Sequence, residues 1–333
     1  MNRQVHLVSR PNGFPEASNF QLVNKEIPEL NPNELLVQVH YLSVDPYMRG
    51  RLGGRASSHP PFELNKPVIG DGVGCVIKSM HPQFHPGDFV TGYLEWANYT
   101  AVTGENLLKF DPKEVAPEHM LNVLGMTALT AYFGLLDIGQ PKSGETVVVS
   151  AAAGAVGMVV GQIAKIKGCK VVGIAGSDSK VQYLLDELKF DAAINYKKEN
   201  WKEVLKTTCS NGVDIYFDNV GGEITDEVVK LINRRARIVL CGQISTYNVA
   251  QSNNVPGFLR LLIVRNAMAK GFMITRDYVE RYPEGRKQLK EWLLQGQIKP
   301  CQTIVEGLES IPEAFIGLFS GKNLGKQLVK VVG

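Results

Sequence analysis

The sequence has few cysteines, and no two of them lie close together. No CxxC pair occurs in the 333 residues. Disulfide-stapled secreted domains and structural zinc sites both depend on clustered cysteines. The spacing therefore argues against a disulfide framework and against a clustered zinc site. The cysteines are Cys75, Cys169, Cys209, Cys241 and Cys301.

Long apolar runs and an excess of one charge are also missing. No apolar stretch approaches the roughly 20 residues that a membrane-spanning helix needs. The N-terminal stretch MNRQVHLVSRPNGFPEASNF lacks the apolar core of a secretory signal. The 36 basic and 33 acidic residues give a net charge of +3, too balanced for nucleic acid or an anionic membrane to be the main partner. We therefore expect a cytoplasmic protein.

The chain up to about residue 120 contains many short strand-like runs. Segments rich in glycine, proline and asparagine separate these runs. Such a pattern is typical of a β-barrel or a β-sandwich. The predicted strands are Val5–Val8, Phe20–Val23, Glu34–Ser43, Val68–Lys78, Asp88–Leu94 and Ala97–Val102.

From Ala116 the pattern changes to helices that alternate with strands. The segment MLNVLGMTALTAYFGLLDIGQ is apolar around most of its circumference, which predicts a buried helix. The alternation that follows predicts a doubly wound sheet with right-handed crossovers. The predicted helices are Lys180–Leu188, Glu199–Cys209, Glu223–Asn233, Gly257–Ala267 and Arg276–Gln295, and the predicted strands are Ala192–Asn195, Val213–Phe217, Arg237–Cys241 and Lys270–Ile274.

The end of the chain predicts a return to the first domain. Strand-like segments Ile298–Val305 and Gln327–Val332 flank a predicted helix, Ile311–Phe319. We expect both strands to join the edge of the N-terminal domain. The predicted domains are residues 1–120, completed by 299–333, and residues 121–298.

The segment SGETVVVSAAAGAVGMVVGQIAKIKGCKVVGIAGSDSK reads as strand, tight turn, helix and strand. Small residues at Gly154 and Gly157 would let a pyrophosphate approach backbone N–H groups at the helix N-terminus. The usual dinucleotide fingerprint begins with glycine, whereas Ala151 stands in that place here. The alternative is a tightly packed βαβ unit without a ligand.

The end of the second strand indicates which dinucleotide binds. An NAD site usually has an acidic residue there, which binds the ribose 2′-hydroxyl. Here the strand runs into Ala175, Gly176 and Ser177, and Asp178 follows as a predicted helix cap. Lys180 supplies positive charge for a 2′-phosphate, so the sequence predicts NADPH over NADH. The alternative for Lys180 is a solvated surface lysine.

Several motifs, in order, resemble one family over most of the chain. They are YLSVDPYMRGRL (Tyr41–Leu52), the AAAGAVG turn, FDNVGGE (Phe217–Glu223), CGQISTYN (Cys241–Asn248) and GKNLGKQLV (Gly321–Val329). They are similar to the zinc-free leukotriene B4 dehydrogenase/prostaglandin reductase family of the medium-chain dehydrogenase/reductase superfamily. The resemblance implies a GroES-like β-barrel domain and a doubly wound Rossmann domain. It also implies a homodimer that reduces carbon–carbon double bonds conjugated to a carbonyl, using NADPH.

The resemblance also implies roles for individual residues at the coenzyme. The alternatives are ordinary packing and turn roles, and Cys241 reads more readily as a small buried hydrophobe. The segments Arg55–Lys66 and Ala250–Arg260 match least well and are expected to face the substrate. The predicted cofactor-binding residues are Gly154, Ala155, Val156, Gly157, Ser177, Lys180, Tyr196, Asn219, Cys241, Gly242, Tyr247, Phe272, Met273, Ile274 and Asn323.

The ligands of the zinc-dependent relatives are replaced in this sequence. Asp45 lies near the place of the first ligand, and Gly70–Asp71–Gly72 replaces a GHE motif. His40, His59, His81 and His85 lie without metal-ligand spacing, so no metal is predicted.

Reduction of an activated double bond does not need a metal. Hydride attack on the β-carbon of an enone puts negative charge on the carbonyl oxygen, which a hydrogen-bond donor stabilises. We expect Tyr247 to be this donor, since a phenol with a pKa near 10 stays protonated at neutral pH. Solvent or an acid then protonates the α-carbon. The alternative for Tyr247 is an anchor for a lid loop.

Two residues of the first domain are predicted to bind substrate, and two other functions stay open. Tyr47 could shape the substrate pocket and Arg49 could fix the interdomain surface, although either could equally be a packing residue at the edge of the barrel. The competing functions are an NADPH-dependent quinone reductase and a non-catalytic NADPH-binding protein.

Overall fold

The computed structural model describes residues 1–54, 60–248 and 259–332. In it the chain forms two compact units. The first unit contains Met1–Asn122 and Gln302–Gly333, and the second contains Val123–Cys301.

The strands and helices below carry the labels used from here on. The strands are β1 (Asn2–Leu7), β2 (Phe20–Lys25), β3 (Glu34–Ser43), β4 (Lys66–Pro67), β5 (Ile69–Ser79), β6 (Phe89–Glu95), β7 (Tyr99–Thr103), β8 (Leu108–Phe110), β9 (Thr146–Val149), β10 (Lys170–Ala175), β11 (Ala192–Asn195), β12 (Val213–Asp218), β13 (Ile232–Leu240), β14 (Met268–Gly271), β15 (Gln302–Glu306) and β16 (Lys326–Lys330). The α-helices are α1 (Met48–Leu52), α2 (Met126–Phe133), α3 (Ala155–Ile166), α4 (Asp178–Asp186), α5 (Trp201–Thr208), α6 (Gly222–Val228), α7 (Leu259–Arg265), α8 (Ile274–Asp277), α9 (Tyr282–Leu294) and α10 (Ile311–Leu318).

The first unit is built from two sheets. One runs in the order β15-β16-β3-β5-β6-β8, with β7 also paired to β3, and the other runs β2-β1-β4. The end of the chain returns here, since β16 pairs antiparallel with β3 and β15 pairs with β16. Trp96 is fully buried, with the rings of Phe20 and Phe315 at centroid distances of 5.9 and 6.3 Å. The core therefore joins residues from both ends of the sequence.

The second unit is a parallel sheet with helices between its strands. Its order is β11-β10-β9-β12-β13-β14, and every neighbouring pair is parallel. All four residues of β9 are buried, as expected for a central strand covered on both faces. The strand order reverses between β9 and β12, which is the doubly wound dinucleotide-binding topology. The predicted α/β fold class, with its doubly wound domain, is confirmed.

Two predicted helices end or begin elsewhere in the structure. The predicted helix Glu223–Asn233 is wrong at its end, because α6 stops at Val228 and β13 starts at Ile232, which pairs with Val213. The predicted helix Arg276–Gln295 is also wrong as a single element. It is divided into α8, a 3₁₀ turn and α9, since Pro283 fits the first turn of a helix but not its interior.

Other predicted bounds also change. The predicted strand Lys270–Ile274 is shifted, since β14 ends at Gly271 and Ile274 begins α8. The predicted helix in residues 120–140 becomes α2 followed by a π-helical segment, Gly134–Gly139. Of the predicted helix Gly257–Ala267, the first two residues lie outside the described part. The short elements α1, β4 and β8 had no predicted counterpart.

Candidate active site

The candidate residues of the second unit follow the carboxyl ends of its six strands. Because all six strands are parallel, these ends lie along one edge of the sheet. Ligands of such folds bind outside this edge, at the point where the strand order reverses. The sequence-predicted positions therefore come together along one edge, although they are far apart in the chain. They are residues 151–157 after β9, 177–180 after β10, 196 after β11, 219 after β12, 241–247 after β13 and 272–274 after β14.

The turn between β9 and α3 is tight and built from small residues. Ala151 has φ 47°, in the left-handed region, and its carbonyl accepts a 2.9 Å hydrogen bond from the Gly154 N–H. A Cβ atom at Gly157 would lie 2.8 Å from the Cα of Ala152, closer than real contacts allow. Helix α3 therefore packs directly on the turn. Helix N-termini carry N–H groups without intrahelical partners, which favour an anion, and the N-cap Gly154 has no side chain to block its approach.

The helix cap after β10 differs from the prediction. Ser177, rather than Asp178, is the N-cap of α4, and its hydroxyl accepts a 3.3 Å hydrogen bond from the Lys180 N–H. The predicted cap at Asp178 is therefore wrong by one residue. Tyr196 packs close by, because a Cβ atom at Gly176 would lie 3.1 Å from its ring. The tyrosine is 38% exposed, so part of its ring is open to a ligand.

Two lysines lie near each other at this end of the sheet. Partial burial, and then the positive charge of Lys197, lower the pKa of Lys180. Lys197 directly follows Tyr196, and its N–H donates to the side-chain oxygen of Asn195 at 3.0 Å. Clustered cations suit a phosphate, which supports a 2′-phosphate site. Sequence reasoning missed Lys197, although its place after a strand end in INYKKE was a visible signal.

The acidic residue at this position is already engaged within the unit. The Asp178 carboxylate accepts a 2.8 Å hydrogen bond from the Asn195 amide and forms a 2.7 Å ion pair with Lys198. Both contacts lower the pKa of Asp178. The carboxylate is therefore ionised and held by protein groups.

A buried carboxylate joins the ends of β9 and β12. Asp218 is fully buried, and its Oδ1 accepts hydrogen bonds from Ser150, Tyr216, Val220 and Gly221 at 2.9–3.0 Å. Its Oδ2 accepts from Thr225 at 2.6 Å. Five donors satisfy this carboxylate, as a buried charge requires. Sequence reasoning missed Asp218, since burial and long-range partners cannot be read from its neighbours in the chain.

Asn219 is fixed by this arrangement. Its N–H donates to the Ser150 hydroxyl and its amide donates to the Ser150 carbonyl, both at 2.8 Å. The Asp218 carbonyl accepts from the N–H groups of Cys241 and Gly242 at 2.9 and 3.1 Å. The segments after β12 and β13 are therefore held in fixed register with each other and with the end of β9.

Tyr247 lies in the loop after β13 and points back toward the strand end. Its hydroxyl lies 3.2 Å from the position of a Cβ atom at Gly242. Burial, followed by the nearby Cys241, raises the pKa of Tyr247. Burial, followed by Asp218, raises the pKa of Cys241 to about 12. Both groups are therefore protonated at neutral pH, and the phenol is available as a hydrogen-bond donor.

Residues 272–274 lie just beyond β14. Phe272 is half-buried, and a Cβ atom at Gly134 would lie 2.6 Å from its ring. The Met273 N–H donates to the Asp277 carboxylate at 2.8 Å, which caps α8. Ile274 is buried, and its carbonyl accepts from the Tyr282 hydroxyl at 3.2 Å. The segment is held in place by local contacts.

The remaining candidates belong to the first unit. Tyr47 is half-buried and packs on the core, and burial, followed by Asp71 and Asp45, raises its pKa. Arg49 is buried, and its guanidinium donates to the Gly13 carbonyl at 2.6 Å. The Asn323 amide donates to the Gly325 carbonyl at 2.7 Å. Arg49 thus ties α1 to the loop that contains Gly13, whereas Asn323 holds its own loop.

The position compared above with a zinc ligand carries an ion pair. Asp45 is buried against Lys326 of β16, and its carboxylate also accepts from the Ser43 hydroxyl. His40 packs edge-on against Phe89, and His81 against Phe84. Within residues 1–54, 60–248 and 259–332, no three His, Cys, Asp or Glu side chains are grouped as metal ligands. His59 lies outside the described residues.

The described residues fit a phosphorylated dinucleotide. The turn of small residues before α3 suits a pyrophosphate, Lys180 and Lys197 follow the ends of β10 and β11, and the strand order reverses between β9 and β12. No helix in the described ranges is both long and apolar enough to cross a membrane. Fold and site together define the class as a dinucleotide-dependent oxidoreductase of two domains.

Comparison with known proteins specifies the class further. Residues 3–110 match a family model described as the N-terminal domain of oxidoreductase, and residues 155–291 match one described as zinc-binding dehydrogenase. A putative NADP-dependent oxidoreductase of Bacillus subtilis is 50% identical over 99% of this chain and 97% of its own. An NADP⁺-dependent 2-alkenal reductase of Nicotiana tabacum is 40% identical over 99% of this chain and 97% of its own. The crystal structure of CurA from Vibrio vulnificus in complex with NADPH superposes with a TM-score of 0.95, at 44% identity and 99% coverage of both chains.

These matches establish the family. The chain belongs to the zinc-free leukotriene B4 dehydrogenase/prostaglandin reductase family of the medium-chain dehydrogenase/reductase superfamily. It is an NADPH-dependent oxidoreductase that acts on carbon–carbon double bonds conjugated to a carbonyl group. The family, the activity and the cofactor predicted from the sequence are confirmed.

Proposed function

We propose that the protein reduces α,β-unsaturated aldehydes and ketones, with Tyr247 as the hydrogen-bond donor to the substrate carbonyl. The supporting observation is the position of the Tyr247 hydroxyl, which faces the end of β13 beside Gly242. Its raised pKa keeps it a donor across the physiological pH range. A donor at this position stabilises negative charge as it develops on the carbonyl oxygen.

The chemistry divides between coenzyme and protein. When bound, NADPH supplies the hydride that reaches the β-carbon of the double bond. Tyr247 donates its O–H to the substrate oxygen and stabilises the enolate, and its burial strengthens this hydrogen bond. The α-carbon takes its proton from solvent or from an acid, so the tyrosine need not lose its own.

The residues along the sheet edge are proposed to hold the coenzyme in one orientation. Gly154 to Gly157, with Ala155 and Val156 between them, would bind the pyrophosphate through backbone N–H groups. Ser177, Lys180 and Tyr196 would hold the adenosine end. Asn219, the segment from Cys241 to Tyr247, and Phe272 to Ile274 would line the nicotinamide end. Asn323 is proposed as a further cofactor contact, and Tyr47 and Arg49 as substrate contacts.

Replacing Tyr247 with phenylalanine tests its role. Loss of one hydrogen bond to a developing charge should lower kcat for an enone by about 10-fold or more, while the Kd for NADPH stays within about twofold. Tyr99→Phe in β7 serves as the matched control and should keep full activity. Unaltered kinetics in Tyr247→Phe would rule out a chemical role.

The pH profile gives a second measurement on the same residue. The donor is the neutral phenol, and its pKa is raised above the ordinary value of 10.0. In the wild-type protein, kcat should therefore show no tyrosine-dependent loss below about pH 10 and should fall only above it. A loss that begins near pH 8 and disappears in Tyr247→Phe would contradict the assigned protonation state.

A substrate panel separates the proposed activity from quinone reduction. Conjugated aldehydes, conjugated ketones and quinones are compared with NADPH, and 4-deuterated NADPH is used to follow the hydride. We expect turnover of the enones, with deuterium at the β-carbon. Quinone turnover without enone turnover would favour a quinone reductase, and tight NADPH binding without turnover of either would favour a non-catalytic role.

We further propose a cytoplasmic homodimer. All five cysteines lie in the described residues and none of them forms a disulfide bond, which fits a reducing compartment. Among the described residues, β14 pairs only with β13, and the nearby α7 exposes Ile263 (82%) and Val264 (67%). An open sheet edge beside exposed apolar residues favours pairing with a second copy. Light scattering after size exclusion should give twice the chain mass of 36.6 kDa, and cell fractionation tests the compartment.

A further inference from the structure

We propose that Asn195 and Lys198 contribute to NADPH specificity by holding and neutralising the Asp178 carboxylate. Preference for NADPH would then depend on two features, namely the lysine that meets the 2′-phosphate and the removal of a competing negative charge. The first feature was visible in the sequence. The second emerges from contacts between two segments that are 17 residues apart.

Asp178 lies at the start of a helix, close to the end of the second strand of the parallel sheet. It is the first residue of α4, directly after Ser177 caps the helix, and it follows β10. Acidic residues at the end of this second strand bind the ribose hydroxyls in NAD sites. An ionised carboxylate that is free to turn there would attract NADH and repel a 2′-phosphate.

The structure shows the carboxylate directed to the neighbouring strand instead. Oδ1 of Asp178 accepts from the Asn195 amide at 2.8 Å, and Oδ2 pairs with Lys198 Nζ at 2.7 Å. Asn195 is the last residue of β11, and it is the register partner of Ala175 in β10. A tight turn brings Lys198 into reach, since its N–H donates to the Asn195 carbonyl at 3.2 Å. Both carboxylate oxygens are thus occupied by groups of the β11 end.

Two further lysines, Lys180 and Lys197, lie close to this ion pair. Lys197 lies between Asn195 and Lys198 in the chain, and its positive charge contributes to lowering the pKa of Lys180. Lys198 offsets the negative charge of Asp178, and Lys180 and Lys197 bring two further positive charges to this end of the sheet. The Asp178 and Lys198 side chains are 68% and 57% exposed, so their pair adds little to folding stability. Their arrangement is better explained by what it does to a nearby phosphate.

Fragment binding tests the proposal without any turnover. Calorimetry compares 2′,5′-ADP, which carries the 2′-phosphate, with 5′-AMP, which lacks it. Four proteins are used: wild type, Asn195→Ala/Lys198→Ala, Asp178→Ala, and the triple variant. In the double variant the Kd for 2′,5′-ADP should weaken by about 5- to 10-fold, and that for 5′-AMP by less than about twofold.

The Asp178→Ala background separates an effect that Asn195 and Lys198 exert through Asp178 from the simple loss of a positive charge. If Asn195 and Lys198 act through Asp178, the same double substitution in that background should weaken 2′,5′-ADP binding by no more than about twofold. Equal losses in both backgrounds would overturn the proposal, and so would no loss in either. Lys230→Ala, which removes an exposed lysine paired with Glu227, is the control for net charge and should leave both affinities unchanged.

Two further controls keep the outcome interpretable. Lys198→Gln alone provides a milder change if the double variant unfolds, and it should give a smaller loss in the same direction. Failure of wild-type protein to bind 2′,5′-ADP would count against the coenzyme assignment itself. Normal binding by wild type with no effect of the variants would count only against the proposed role of Asn195 and Lys198.

Discussion

The two halves of the sheet edge hold their functional groups in opposite ways. At the ends of β10 and β11, Asp178 and Lys198 are more than half exposed, and Lys180 is only partly buried. At the ends of β12 and β13, the central group is Asp218, which is fully buried and satisfied by five donors. One half is therefore an electrostatic surface, and the other is a rigid hydrogen-bond network.

The two halves suit two different tasks, namely binding of a phosphate and positioning of the reacting atoms. A phosphate is recognised by charge, which tolerates mobile lysine side chains in water. Hydride transfer needs reacting atoms held in a fixed geometry, which a buried network provides. Substitutions in the exposed half should change coenzyme choice with little effect on folding. Substitutions in the buried half should change both.

The largest effect is expected from Asp218→Ala. Five donors would lose their acceptor, and each buried unsatisfied donor costs about 1–3 kcal/mol before relaxation. We expect the free energy of unfolding to fall by about 4 kcal/mol or more, measured by urea denaturation. Thr225→Val is the matched control, because it removes one of the five donors together with a 3.1 Å contact to the Tyr216 hydroxyl, and it should cost about 1–2 kcal/mol. A loss below about 1 kcal/mol for Asp218→Ala would remove the network from its proposed role.

An intermediate effect, on binding alone, is expected from Lys180→Ala. A hydrogen bond to a charged group contributes about 1.5–3 kcal/mol, so the Kd for NADPH should rise about 10- to 100-fold. The Kd for NADH and the urea midpoint should hardly change, because surface substitutions usually stay within about 0.5 kcal/mol. Measured affinities for both coenzymes decide the point. An unchanged preference would remove Lys180 from the site.

The smallest effect is expected from Ala151→Gly at the turn after β9. Ala151 has φ 47°, which disfavours an alanine but not a glycine. Because glycine also loses more entropy on folding, we expect a net stabilisation of up to about 1 kcal/mol and an unchanged Kd for NADPH. The midpoint of thermal unfolding provides the measurement. A clear loss of stability would show that the alanine methyl group makes contacts that outweigh the strain.

The predicted elements succeeded where the pattern was local. The strands predicted at Glu34–Ser43 and Ala192–Asn195 have the bounds that the structure shows. Errors arose where one residue or one partner changes the outcome. Pro283 restarts a helix within Arg276–Gln295, and the pairing of Ile232 with Val213 turns the end of a predicted helix into a strand.

The residues of the site likewise divide into those that the sequence indicates and those that depend on tertiary contacts. Gly154, Gly157 and Lys180 were visible because each follows directly from a strand end or a helix start in the sequence. Asp218 and the Asn195–Asp178 contact were not, because their meaning depends on burial and on partners in other strands. For Arg49, the structure adds a contact that the sequence did not show, namely its hydrogen bond to the Gly13 carbonyl.

The sequence by itself determined the order of strands and helices, the small-residue turn and the positive charge after β10. These features depend on residue type and spacing within short segments. Only the tertiary structure decided which strand ends lie side by side, that Asp178 is bound by Asn195 and Lys198, and that Asp218 is buried among five donors. The physical reason is that hydrogen bonding and desolvation act between neighbours in space, and a parallel sheet makes neighbours of residues that are many positions apart in the chain.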